Sequence, residues 1–244
     1  MAINEQFDWR RSDRKLFLAV AIAFPIITLI GFGRTYYFKM FADTPPLSSL
    51  LVHVHGLVMS AWVAFFIVQV WLIRNRNVKV HMRLGMAGIS LATLLVIVGF
   101  FTAAASAKFG SPSTPPGFPP LAFFAVPLFD LVMFVILFGG AIYYRLNAAN
   151  HKRLMLLTVL NFLPPALARI PLQTLQSLGP LIFFGVPALL TIGLVAWDTR
   201  RNRKLNLTFL AGSIALILSY PLRMILSGTD TWMGFAVWIT SWAA

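Results

Sequence analysis

The chain lacks cysteine and has only seven acidic residues among its 244. Without cysteine it has no disulfides, thiolate metal sites, iron–sulfur clusters or cysteine nucleophiles. With so few acids it has no paired carboxylates of the kind that hydrolases use. It also lacks phosphate-binding glycine motifs and a His-Glu-x-x-His zinc motif, and no lysine stands in the centre of its last apolar segment to bind retinal.

Charged residues are scarce overall, at 11% of the chain, whereas 59% are hydrophobic. Soluble domains carry roughly 25% charged residues, so the composition predicts an integral membrane protein. The net charge of +13 comes from basic residues in short clusters between apolar runs. That distribution is typical of cytoplasmic loops, so we expect the lipid bilayer, and no nucleic acid, as the partner.

The apolar runs predict an all-α fold, an integral membrane bundle of seven transmembrane helices forming a single domain over residues 1–244. The predicted spans are residues 16–32, 49–73, 84–107, 121–144, 154–172, 180–196 and 205–226. Residues 227–244 include three tryptophans, which predicts a short interfacial helix at the C-terminus. The alternative is a short eighth span, which would break the asymmetry of the basic residues.

The basic residues also predict an orientation. Of the twenty lysines and arginines, fifteen fall before span one and in alternate loops, and five fall on the other side. The positive-inside rule therefore places the N-terminus in the cytoplasm. An odd number of spans then places the C-terminus outside.

Two histidines, His53 and His55, lie within the second span. Residues three or four apart share a helical face, which puts the two rings on different faces. A histidine with a methionine one turn further can ligate copper or haem, so His53, His55 and Met59 are candidate cofactor ligands, with His55 the candidate metal ligand. Alternatively, His55 is a buried histidine bonded to a neighbouring helix. Its stripe, predicted to face inward, contains His55, Met59, Trp62, Phe66 and Gln69.

The other two histidines, His81 and His151, begin apolar segments in the similar phrases His-Met-Arg-Leu and His-Lys-Arg-Leu. Both lie at the cytoplasmic edge of the predicted bundle. At that matching level they could flank a cofactor as a pair. The alternative is that each is an interfacial anchor.

Asp130 is the only acid within a predicted apolar core, where an unpaired charge is costly. We expect it to be protonated or paired with a cation. A helical rise of about 1.5 Å per residue brings three arginines to a similar outer level. They predict an outward-facing pocket for a carboxylate, phosphate, lipid headgroup or haem propionate, unless each arginine reaches the headgroups independently. The pocket would contain Arg34, His53, His55, Asp130, Arg169 and Arg223, with Tyr36 and Gln173 at its rim.

Several of these motifs together resemble a broad group of uncharacterised bacterial multi-pass membrane proteins. They are His55-Gly-x-x-Met59, Trp62, Gln69, His81-x-Arg-Leu-Gly85 and His151-Lys-Arg-Leu-Met155, and the likeness covers residues 50–171. It implies location in the bacterial cytoplasmic (inner) membrane and carries no activity. The chain also has a distant likeness to b-type membrane cytochromes, whose haems are held by histidines on adjacent helices. It departs from them because its histidines do not form ligand pairs at two depths.

Three functions follow as hypotheses. The first is a membrane redox protein that binds haem b or copper, which a visible spectrum tests. The second is a non-catalytic subunit of a larger membrane complex that binds lipid or pigment, which purification as a lone monomer would contradict. The third is a small anion transporter or receptor, tested by thermal shifts with anions.

Overall fold

A computed structural model describes residues 2–42, 44, 47, 49–111, 114–115 and 117–242, with side chains from residue 15 onward. These residues form helices and no strand, which confirms the predicted all-α class. The helices are α1 (Ala2–Phe32), α2 (Leu50–Arg74), α3 (Val78–Phe109), α4 (Pro120–Phe123), α5 (Ala125–Tyr143), α6 (Ala148–Asn161), α7 (Leu163–Leu167), α8 (Gln173–Ser177), α9 (Pro180–Phe183), α10 (Gly185–Asn202), α11 (Leu207–Ser227) and α12 (Asp230–Thr240).

Six segments of the described chain are long and apolar enough to cross a membrane. Large apolar side chains such as Ile22, Trp71 and Leu189 are exposed on them, as expected for surfaces that face lipid. The protein is therefore a multi-pass membrane protein. The six segments are Lys15–Tyr37, Leu50–Arg74, Val78–Phe109, Pro120–Tyr143, Pro180–Asn202 and Leu207–Ser227.

The predicted fifth span, residues 154–172, is not one continuous helix. Helix α6 begins earlier, after an N-cap at Asn147 whose side chain accepts two backbone hydrogen bonds, and ends at Asn161. Helix α7 follows after Phe162. Pro164 and Pro165 lack the amide hydrogens that would continue the helical ladder, so the break lies where this pair requires it.

Helix α6 lies at the centre of the bundle, since every residue from 156 to 164 is buried. It runs antiparallel to α5. His151 near the start of α6 contacts the Ala141 carbonyl near the end of α5, while the side-chain amide of Asn161 at the end of α6 donates to the Asp130 carbonyl. It runs parallel to α11, as the side chain of Asn206 donates to that of Asn150 at the start of both helices.

Helix α10 runs in the opposite direction to α6. Its C-terminal Asp198 binds Arg153 near the start of α6, whereas Phe184, just before α10, stacks on Tyr220 near the far end of α11. The chain between α5 and α10 therefore passes from one end of the bundle to the other. Helices α6 and α7 make this passage.

The C-terminal helix α12 has 11 residues, which is too short to cross a hydrocarbon core of about 30 Å. Trp232 packs against Phe124 and donates its indole N–H to the Leu121 carbonyl at 2.9 Å. A short C-terminal helix is thus confirmed, and its place at the membrane interface stays a prediction.

Gly31 sets the approach of α1 to α7, which gives the first testable prediction. A Cβ at residue 31 would lie 2.2 Å from the Ala166 carbonyl oxygen, so Gly31→Ala must push the two backbones apart. We expect a loss of about 1–3 kcal/mol in unfolding free energy, measured by denaturant titration in detergent. Gly193→Ala, with nothing within 4 Å, is the control and should cost nothing. Equal losses in the two variants would contradict this contact.

Candidate functional site

Helix α2 separates its two histidines as predicted. His53 is exposed, while His55 is half-buried above the buried Trp62 and Gln69 on the inward stripe. Met59 is half-buried and packs against the core. The two rings therefore do not form a joint metal site on this helix.

Around His53, the contacts come from the end of α1. The hydroxyl of Tyr36 donates to the His53 carbonyl at 3.2 Å, and the Tyr36 and His53 ring centroids are 6.2 Å apart. The Tyr36 ring crosses α2 at Gly56, where a Cβ would lie 2.3 Å from it. Tyr36 thus lies beside His53.

At the other end of the bundle, the structure brings His81 and His151 together. His81 lies in the first turn of α3 and His151 in the first turn of α6, and their ring centroids are 6.3 Å apart at an interplanar angle of 81°. Of the predicted histidine pairings, this is the one in which the structure brings two imidazole rings together, with their planes nearly perpendicular.

The orientation of the His151 ring is fixed by α5. Its Nδ1 lies 2.8 Å from the Ala141 carbonyl oxygen, so Nδ1 carries the hydrogen and Nε2 is the nitrogen with a free lone pair. The His81 ring lies near the backbone of Gln69, and its buried Nδ1 has no partner among the described residues. Both amide atoms of the Gln69 side chain are likewise buried without a described partner.

Asp130 is paired with a cation, as predicted. It lies on α5, and the Arg223 guanidinium on α11 donates to its carboxylate at 2.5 Å. Arg223 is 0% exposed and also donates to the carbonyl and hydroxyl of Ser219. Its charge is therefore compensated within the bundle by Asp130.

The other predicted pocket residues lie in different surroundings. Arg169 donates to the Pro165 carbonyl at 2.8 Å and stacks over the Phe32 ring at 4.9 Å. Arg34 is exposed at the end of α1, and the exposed Gln173 begins α8. The described contacts of Arg34, Arg169 and Arg223 share no residue, so they do not assemble one pocket around Asp130.

One buried ion pair was not predicted from the sequence. Arg153 on α6 donates through Nε and Nη2 to the two carboxylate oxygens of Asp198 on α10, at 2.9 and 2.7 Å. The predicted sixth span ends at residue 196, two residues before Asp198, and the predicted fifth span begins one residue after Arg153. In the structure α10 continues as a helix to Asn202, which brings Asp198 into the bundle.

Among the described residues, no group of three or more His, Cys, Asp or Glu side chains could hold a metal ion. His81 and His151 would supply two protein ligands. No protein-family model matches the chain, and neither the curated proteins nor the solved structures include a significant match. The proposals below therefore depend on the geometry of these residues.

The buried ion pair between Asp130 and Arg223 generates the second prediction. Asp130→Leu leaves the Arg223 charge buried without its carboxylate, and removing one partner of a buried pair costs about 3–5 kcal/mol. The double variant Asp130→Leu/Arg223→Met removes both charges and should recover most of that loss in the same detergent unfolding measurement. A double variant no more stable than Asp130→Leu alone would show that the two residues are not coupled.

Proposed function

We propose that the protein is a redox protein of the bacterial cytoplasmic membrane in which His81 and His151 ligate haem b or a copper ion. The observation that carries this proposal is the 6.3 Å separation of the two ring centroids. His81 and His151 would hold one metal between them at metal–nitrogen distances of about 2.1 Å, and ring centroids 6.3 Å apart agree with that spacing.

The surroundings of His151 support ligation. Metal-bound histidines usually donate their second ring N–H to a carbonyl or carboxylate, which fixes the tautomer and the ring orientation. The Ala141 carbonyl occupies that position beside His151 Nδ1. Exposed basic residues at the same end, Arg83 and Arg145, could pair with haem propionates. A haem or copper ion would supply one-electron transfer at this site.

The third prediction tests ligation. Purified wild-type protein should carry haem or copper, detected by its visible spectrum and by elemental analysis. His81→Ala and His151→Ala should each lower cofactor content more than about tenfold, because each removes a direct ligand. His53→Ala is the matched control and should keep wild-type content, since His53 is exposed on another helix face.

Two neutral imidazoles in an edge-to-face contact would have a similar centroid separation. In that case a colourless, metal-free protein would be obtained from cells supplied with iron and copper. That result would contradict the redox proposal.

We also propose seven crossings, with α6 and α7 as the fifth. From Ala148 to Leu167 the two helices are about 30 Å long, which matches the hydrocarbon core. The asymmetry of basic residues supports a cytoplasmic N-terminus and an external C-terminus. His81 and His151 would then lie at the cytoplasmic edge.

The fourth prediction tests this crossing by cysteine labelling, for which the native chain gives no background because it lacks cysteine. Leu146 precedes α6 and is 91% exposed, and Leu178 follows α8 and is 46% exposed. In intact cells an impermeant maleimide should label Leu178→Cys and should label Leu146→Cys only after lysis. Labelling of both variants from the same side would contradict a fifth crossing.

The two other hypotheses have less support. Arg223 is already paired with Asp130, so an anion transporter or receptor would have to break a buried ion pair to use that cation. For a subunit of a larger complex, no described contact favours a protein over lipid as the cover of the exposed apolar faces.

A further inference from the structure

At the outer end of α1, the described residues form an open groove of about 470 Å³. Its described lining is apolar except for the guanidinium group of Arg34. It lies at the end of the bundle opposite His81 and His151, so it is independent of the proposed redox site. The residues that line it are Leu29, Ile30, Gly33, Arg34, Phe38, Phe41 and Ala42.

The groove is formed by an unusual backbone turn. Residues Gly33–Tyr37 form a π-helical turn, closed by a hydrogen bond from the Phe38 amide to the Gly33 carbonyl at 2.7 Å. Such turns are rare and frequently occur at functional sites. Here the turn widens the end of the helix and places Arg34 beside the apolar rings of Phe38 and Phe41.

The segment after the turn is tied back to Arg34. The Thr44 hydroxyl donates to the Arg34 carbonyl at 3.2 Å, and the Lys39 ammonium donates to the Thr44 hydroxyl at 3.0 Å. These bonds return the segment to the turn. Phe38 and Phe41, between the turn and Thr44, line the groove with 55% and 82% of their surfaces exposed.

An apolar stripe on α1 continues from the groove towards the middle of the membrane. Ile22, Ile26 and Ile30 are four residues apart, share one helical face and are 49–52% exposed. From Arg34 to Ile22 the helix extends about 18 Å, close to the roughly 15 Å of hydrocarbon in one leaflet. The surface thus presents one cation at headgroup level and an apolar track one leaflet long.

We propose that this groove binds an anionic phospholipid, with the phosphate on Arg34 and an acyl chain along Ile30, Ile26 and Ile22. Charge complementarity selects a headgroup with a net negative charge, because Arg34 is the charged residue among the described lining residues. The aromatic rings of Phe38 and Phe41 cover the glycerol region of the bound lipid.

The fifth prediction uses the full chain in neutral detergent, with dioleoylphosphatidylglycerol, dioleoylphosphatidylcholine and inorganic phosphate as probes. Native mass spectrometry should show tighter binding of phosphatidylglycerol than of phosphatidylcholine. Arg34→Gln should weaken phosphatidylglycerol binding about tenfold, the loss expected for one charged hydrogen bond. Lys108→Gln removes the same charge from the same end of the bundle, away from the groove, and should leave it unchanged.

Ile30→Trp tests the apolar track, since it should weaken both lipids while Arg34 remains. Asp43 is an acid that follows Ala42 in the sequence. To test whether its charge affects lipid binding, the comparison of wild type with Arg34→Gln is repeated in the Asp43→Asn background. The same loss on Arg34→Gln is expected there. Equal effects of Arg34→Gln and Lys108→Gln would overturn the proposal. So would equal binding of the two lipids, or competition by inorganic phosphate at the concentration of the lipid.

Discussion

Two hydrogen bonds between α5 and α6 set the register on which the rest of the bundle depends. One joins His151 to the Ala141 carbonyl and the other joins Asn161 to the Asp130 carbonyl. Asn161 is fully buried, where no water replaces a lost polar partner, so its bond fixes the relative height of the two helices. At one end of this helix pair the His151 ring meets His81, and at the other the Asp130 side chain meets Arg223.

The two buried ion pairs extend this register to the neighbouring helices. Arg153 joins α6 to Asp198 on α10, and Asp130 on α5 joins Arg223 on α11. Because burying charges costs about as much as their attraction returns, such pairs contribute less to net stability than to the choice of one arrangement over others. In this bundle they align α10 and α11 with the central α6, which is buried throughout residues 156–161.

Much of the fold could be predicted from the sequence, because crossing a membrane requires long apolar helices. The same environment requires that the Asp130 carboxylate be neutralised or paired with a cation. The inward stripe of α2 also followed from helical periodicity. The partner of Asp130 could not be chosen among three arginines, since residue counting gives depth along a helix but not the direction in which a side chain faces.

The candidate site was only partly accessible for the same reason. The shared level of His81 and His151 could be inferred from their similar phrases, but their contact depends on how α3, α5 and α6 pack together. The predicted outer pocket was based on side chains that share one depth in the membrane. In the bundle these side chains lie on separate helix faces. Asp198 was missed because it lies just beyond an apolar segment, where composition alone indicates a loop.

The proposed redox centre is tested most directly by X-ray absorption at the edge of the metal bound to the purified protein. Ligation by His81 and His151 predicts scattering from two imidazoles with metal–nitrogen distances of about 2.0–2.1 Å. A spectrum without imidazole scattering, or one identical after both histidines are replaced, would contradict it.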